Sequence, residues 1–180
     1  MTRIKMCGIT RQADMLAAIE AGADFLGFIF YERSPRCVTR DQAMTLTELL
    51  RGLDVQRVPQ CVGVFVDPDP DVAARIVEKC RLQAVQIHRA APEKLRAINT
   101  RLHGACYPAW QPQNVDLARA DWQTYCADGW IDSAPWLPQA LIDAFHPDLA
   151  GGTGQSADWN MARALRLSID RLMLAGGLTP

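Results

Sequence analysis

The side chains with the most chemical capability stand where short apolar runs end. Cys7 closes the first run and is followed by Gly8 and, two residues on, by Thr10. Gly8 lets the backbone turn tightly, and Thr10 is placed to cap a helix starting beyond it. A thiol there lies near the positive end of the helix dipole, which favours its thiolate form and suits it to act as a base or nucleophile. The same position also suits a buried, small apolar side chain. Asp143 ends the run Ala140-Leu141-Ile142. A carboxyl withdrawn from water favours its neutral form and can serve as a general acid, although an isolated aspartate also commonly caps a helix or accepts a loop hydrogen bond.

Two glycine clusters, Gly151-Gly152-Thr153-Gly154 and Gly176-Gly177, follow the last two runs. Glycine lets backbone N–H groups approach an anion, so both clusters can cradle a phosphate, and both can equally be tight turns. Arg36, in Ser34-Pro35-Arg36, can clamp a carboxylate or phosphate with its planar fork, or simply be solvated. His88 ends another run. Without an evident partner it reads as a structural or substrate-lining residue ahead of a proton shuttle. Neither G-x-G-x-x-G after the first run nor G-x-x-x-x-G-K-[ST] occurs, which argues against dinucleotide and P-loop chemistry.

These residues need elements to hold them. Short β-branched runs alternate with stretches of helical periodicity, which predicts parallel βα units. Strands are expected at Arg3–Cys7, Asp24–Phe30, Gln60–Val66, Ala84–His88, Gly104–Ala109, Ala140–Asp143 and Arg171–Ala175. Helices are expected at Gln12–Ala21, Arg40–Arg51, Pro70–Arg81, Pro92–Arg101, Asn114–Ala127 and Asp158–Leu165, with Thr10, Asp69-Pro70 and Asp158 as start signals. Capable residues follow most of the strands. A (β/α)8 barrel gathers all its strand ends at one mouth, whereas an open doubly wound sheet uses only its switch point. The barrel is therefore the expected fold, as a single domain over residues 1–180. The segment Tyr107–Pro138, with four of the five tryptophans, fits the pattern least and predicts a long irregular connection.

Composition limits the partners. The 180 residues carry 19 Lys+Arg and 20 Asp+Glu, a formal net charge of −1, so neither a nucleic-acid footprint nor attraction to an anionic membrane is expected. No apolar run approaches the ~18 residues of a membrane span, and the N-terminus does not resemble a secretory signal. The six cysteines show no C-x-x-C pair. Neither a zinc site nor a redox motif is expected, and the thiols read as reduced in a cytoplasmic protein.

The motifs in order are similar to those of the phosphoribosylanthranilate isomerases. Lys5-Met6-Cys7-Gly8-Ile9-Thr10 resembles the family's opening K-x-C-G-I-T. Gly22–Phe30 and Ser34-Pro35-Arg36 resemble its second strand and following loop, and Val62–Val66 and Val85–His88 its third and fourth strands. Ile142-Asp143 with Gly151–Gly154 and Asp158-Trp159 resembles the sixth unit, and Leu174–Leu178 the seventh. The resemblance implies a (β/α)8-barrel enzyme of tryptophan biosynthesis that performs an Amadori rearrangement. It implies Asp143 as general acid, Cys7 as general base and Arg36 as the anchor of the anthranilate carboxylate. Backbone groups near Gly152, Thr153, Gly154, Gly176 and Gly177 would receive the phosphate. No metal or organic cofactor is implied, because the substrate's own imine acidifies the proton to be removed. The partner is a small phosphosugar substrate, and the chain is expected to be a monomer or homodimer.

The chain departs from that pattern in places. Arg89 stands where the family's fourth strand is followed by glycine, and the fifth strand matches poorly, which makes Asp132 the alternative acid if the register differs. The family continues past the position of Pro180 through a helix, an eighth strand and a closing helix, so these residues are expected to form a C-terminally incomplete barrel. Two other readings are a barrel remnant that binds phosphate or a partner chain, and another phosphosugar barrel isomerase.

Overall fold

The computed structural model describes residues 2–127, 129, 134–144 and 158–177. The chain divides into two compact units, Met1–Gln86 and Ile87–Pro180. In the first, strands β1 (Lys5–Cys7), β2 (Phe25–Ile29) and β3 (Gln60–Val66) alternate with helices α1 (Gln12–Glu20), α2 (Arg40–Arg51) and α3 (Pro70–Cys80). Strand β4 (Ala84–His88) spans the boundary in the chain. The second unit continues with α4 (Pro92–Arg101), β5 (Cys106–Trp110), α5 (Val115–Cys126), β6 (Ala140–Ile142), α6 (Trp159–Leu165) and β7 (Leu172–Leu174). Among the described residues, the thirteen elements follow the alternation expected from the periodicity.

Within each unit the strands pair in parallel with their chain neighbours. Cys7 lies opposite Gly27 and Phe28 opposite Gly63. In the second unit Trp110 lies opposite Ile142, and Ile142 opposite Leu174. Sequential parallel pairing through helical crossovers is the arrangement of a barrel wall. A doubly wound sheet reverses its order partway. Strands β2, β4 and β5 are buried at every position, because helices cover one face of a parallel sheet and other side chains the opposite one.

Two apolar clusters hold the units. Met15, Leu26, Phe28, Ala43, Leu50 and Cys80 are at most 2 % exposed in the first. In the second, Trp110 stacks on Trp122 at 6.4 Å between ring centroids and meets Tyr125 at 5.5 Å, beside Ile142 and Leu165. Part of the tryptophan-rich segment expected to be irregular thus forms the outer packing of β5 and α5.

Helix starts are set chiefly by capping side chains. Thr39 and Gln42 form a reciprocal capping box, Asp69 accepts from the Asp71 and Val72 amides ahead of Pro70, and Asp158 accepts from Asn160 and Met161. The cap expected at Thr10 is not formed. Gly8 N–H and Ile9 N–H both donate to the Gly27 carbonyl, and the extended residue before α1 is Arg11, which makes no side-chain cap. Strand ends are shorter than expected: the ladder leaves out Arg3, Ile4, Asp24, Phe30, Asp143, Arg171 and Ala175. Strand β5 starts at Cys106 because His103 and Gly104 take left-handed turns after α4.

Helix α3 stops at Cys80, short of the expected Arg81, because Arg81 adopts the left-handed conformation at φ +50°. Such a site favours glycine. Arg81→Gly is expected to raise stability by about 1 kcal/mol, read as a higher urea midpoint with unchanged denaturant slope.

Candidate active site

Cys7 and Arg36 are brought together by two turns. At the end of β1 the chain leaves the sheet through Gly8, at φ +87°. After β2, the loop closes with Cys37 N–H donating to the Ser34 carbonyl and Val38 N–H donating to the Ile29 carbonyl. Arg36 N–H donates to Ser34 Oγ at 3.2 Å, and the Arg36 side chain runs back to β1. Its Nη1 donates to the Cys7 carbonyl at 2.6 Å. A Cβ at Gly8 would sit 2.7 Å from Arg36 Cδ and 2.8 Å from Nη1, so Gly8 serves both the turn and the passage of the guanidinium. One of the five guanidinium donors is directed to a backbone oxygen beside the thiol.

Cys7 is half-buried. Its Sγ lies over Gly27, where a Cβ would be 2.8 Å from the sulfur and 3.1 Å from Lys5 Nζ. The motifs contain both Lys5 and Gly27, and neither motif marks a role for them. The available signal was a glycine inside a strand of large apolar residues, which marks a close approach.

In the second unit Asp143 follows β6, 8 % exposed. Its N–H donates to the Trp110 carbonyl at 3.0 Å, and the Ala144 N–H donates to its Oδ1 at 2.9 Å. Gln111 Nε2 donates to the Ala144 carbonyl at 2.9 Å, tying the same short segment to the end of β5. Ala175 N–H donates to the Ile142 carbonyl, which carries Gly176 across to this segment. A Cβ on Gly176 would lie 2.6 Å from Ala144 Cβ and 3.0 Å from Asp143 Oδ1. At Gly176, read from sequence as a phosphate contact, a φ of +96° and close packing on Ala144 and the Asp143 carboxylate favour glycine. Gln111 and Ala144 carried no sequence signal, since each acts through a main-chain group or contact made only in the fold.

The remaining expectations divide simply. His88 is buried at the end of β4, 5 % exposed, and Arg89 beside it is exposed at φ +57°. The left-handed backbone at Arg89 is a conformation that favours glycine. Gly177 also has positive φ, +55°. Gly152, Thr153, Gly154 and the alternative acid Asp132 lie outside the described residues. Among the described residues, no group of three or more His, Cys, Asp or Glu is arranged to hold a metal ion, and no helix is long and apolar enough to cross a membrane.

Each of Cys7 and Asp143 therefore stands at or just past the C-terminal end of a parallel strand, with its surroundings fixed by glycine and by main-chain hydrogen bonds. A profile of the N-(5′-phosphoribosyl)anthranilate (PRA) isomerases matches residues 4–180. The isomerase of that name from Trichlorobacter lovleyi is 36 % identical over 181 residues, covering 100 % of this chain and 78 % of the relative. Among solved structures, monomers generated from the dimeric phosphoribosylanthranilate isomerase of Thermotoga maritima superpose with a TM-score of 0.76 at 28 % identity, over 99 % of this chain and 77 % of theirs. A phosphoribosylanthranilate isomerase in complex with reduced 1-(o-carboxyphenylamino)-1-deoxyribulose 5-phosphate matches with a TM-score of 0.73 at 27 % identity, over 99 % and 77 %.

Proposed function

The chain belongs to the N-(5′-phosphoribosyl)anthranilate isomerase family, and on that premise we propose which of its residues move the protons. Its fold is the family's (β/α) barrel type, and the reaction is the isomerisation of N-(5′-phosphoribosyl)anthranilate to 1-(2-carboxyphenylamino)-1-deoxyribulose 5-phosphate in tryptophan biosynthesis.

The chemistry needs an acid and then a base. Protonation of the furanose ring oxygen breaks its bond to C1, and the anthranilate nitrogen supplies the electron pair that makes the C1 iminium. That positive nitrogen acidifies the C2 proton. Its removal gives an enolamine, which takes a proton at C1 and loses one from the C2 hydroxyl to become the aminoketose. Protons balance, and no external oxidant enters.

Asp143 is the acid in this reading. Its Oδ1 accepts from the Ala144 N–H, which fixes the orientation of the carboxyl. Cys7 is the base, its sulfur held beside the Gly8 turn. Arg36 holds the anthranilate carboxylate, for which a planar fork of donors suits a planar anion. Main-chain groups of Gly152, Thr153, Gly154, Gly176 and Gly177 take the phosphate. The observation carrying the assignment is that the two proton-transfer groups, far apart in sequence, each end a strand or follow it directly, where barrel enzymes place their chemistry. Anthranilate fluorescence followed during turnover by the parent and by variants at the two positions tests it, and parental rates in the variants would overturn it.

Every residue assigned here belongs to one chain. Specific activity is therefore expected to stay constant on dilution, whether the chain is a monomer or a homodimer, as light scattering over the same concentrations would report. The cytoplasm remains the proposed location, on the reading of the cysteines as reduced thiols.

A further inference from the structure

We propose that Gln111 is a positioning residue for Asp143, its side-chain amide clamping the peptide that follows the aspartate and so holding the carboxyl where the reaction needs its acid. The inference deepens the proton-transfer reading and rests on it for its catalytic consequence. All of the contacts that carry it lie within the second unit.

Two bonds on consecutive residues tie the end of β5 to the end of β6. Trp110 closes β5 opposite Ile142, and its carbonyl accepts from the Asp143 N–H at 3.0 Å. The ladder ends there, since Gln111 lies beyond β5 and Ala144 beyond β6. A side chain continues where the strands stop. Gln111 Nε2 donates to the Ala144 carbonyl at 2.9 Å, across 33 positions of sequence.

The peptide between Asp143 and Ala144 is therefore held on both sides, by the Trp110 carbonyl before it and by the Gln111 amide after it. Its own N–H, that of Ala144, donates to Asp143 Oδ1 at 2.9 Å. A bond between a side chain and the next residue's amide survives only while the backbone dihedral angles between them are kept. Gln111 keeps them. On the β7 side Gly176 closes on the same segment, where an added Cβ would lie 2.8 Å from Ala144 N and 3.0 Å from Asp143 Oδ1.

Burial gives the amide its weight. Ala144 is 4 % exposed, so water does not readily replace a missing donor, and a buried carbonyl left unpaired favours rearrangement of the segment. Proton transfer is steep in distance and angle, and a small displacement of the acid lowers its rate tenfold or more, on the order of the losses that misplaced catalytic groups show.

Gln111→Met keeps the length of the side chain and removes the donor. It is expected to lower kcat about tenfold with KM within about twofold of the parent. The Ala144 amide, followed by hydrogen exchange in the NMR spectrum of the intact labelled chain, should exchange about tenfold faster. The Asp143→Asn background separates positioning from general support. A residue that acts through Asp143 has little left to lose there, so Gln111→Met should change the residual rate by less than about twofold, whereas a general structural role carries the same loss into both backgrounds.

Parental kcat in Gln111→Met, or equal losses in the two backgrounds, would overturn the proposal. Parental turnover in Asp143→Asn would instead remove the acid role, and exchange would still decide the clamp: a faster Ala144 amide in Gln111→Met supports it and an unchanged one rejects it. Should Gln111→Met fail to fold, Gln111→Glu, which replaces the donor by an acceptor of the same size, takes its place with the same expected results. In the parent itself, an Ala144 amide that exchanges as fast as one in an unstructured peptide rejects the clamp.

Discussion

Replacing Cys7 with alanine is expected to reduce kcat by about 10³-fold or more while substrate still binds, and Asp143→Asn is expected to do the same. General acid–base groups contribute roughly 10²–10⁴-fold each. Here the two act on successive bonds, so neither can substitute for the other. Asp143→Asn keeps the size and the acceptor oxygen for the Ala144 N–H but has no acidic proton to give. Cys7→Ala removes only the sulfur and leaves the Gly8 turn and the Arg36 contact to the Cys7 carbonyl. Both variants should melt near the parent, because neither deletes a large buried side chain. The two losses should not add fully in a double variant, since a blocked first step hides the second. A variant at either position that turned over at the parental rate, with its fold verified by circular dichroism, would reject that residue's role.

Gly176→Ala should be damaging for a different reason. The position has φ +96°, which an L side chain rarely adopts, and the new methyl would start 2.6 Å from Ala144 Cβ and 2.8 Å from Ala144 N. Left-handed strain and overpacking together should cost about 3 kcal/mol. The shift cannot be confined to the loop, because Ala144 N–H is the donor to Asp143 Oδ1 and Gln111 holds the Ala144 carbonyl. Turnover should therefore fall further than the lost stability explains, measured at a temperature where the variant remains folded. If Gly176 served only as a phosphate contact, KM would rise with kcat unchanged. A fall in kcat, with the melting point lowered, identifies the packing on the Asp143–Ala144 segment as the reason for the glycine.

The alternation of elements was legible in the chain because it is local. Period-two and helical patterns, the Asp69-Pro70 and Asp158 starts, and the helices Arg40–Arg51 and Pro92–Arg101 follow from neighbours a few residues apart. The motifs around Cys7 and Arg36 were equally readable, since their glycine, cysteine and arginine lie at fixed short offsets. Thr10 was misread as a cap for lack of a nonlocal fact: the bonds from Gly8 and Ile9 to the Gly27 carbonyl determine where the chain leaves the strand.

Tertiary structure decided what each glycine is for. From sequence, Gly27 was a residue inside a strand and Gly176 half of a phosphate turn. In the fold, Gly27 gives room to a sulfur and an ammonium, and Gly176 to Ala144 and to an aspartate 33 positions earlier in the chain. The sequence by itself determined the βα order and the kinds of group that can transfer protons, because propensity and periodicity are properties of neighbours. Only the tertiary structure decided which side chains share a space, because a missing Cβ acquires its meaning from atoms that arrive from other strands.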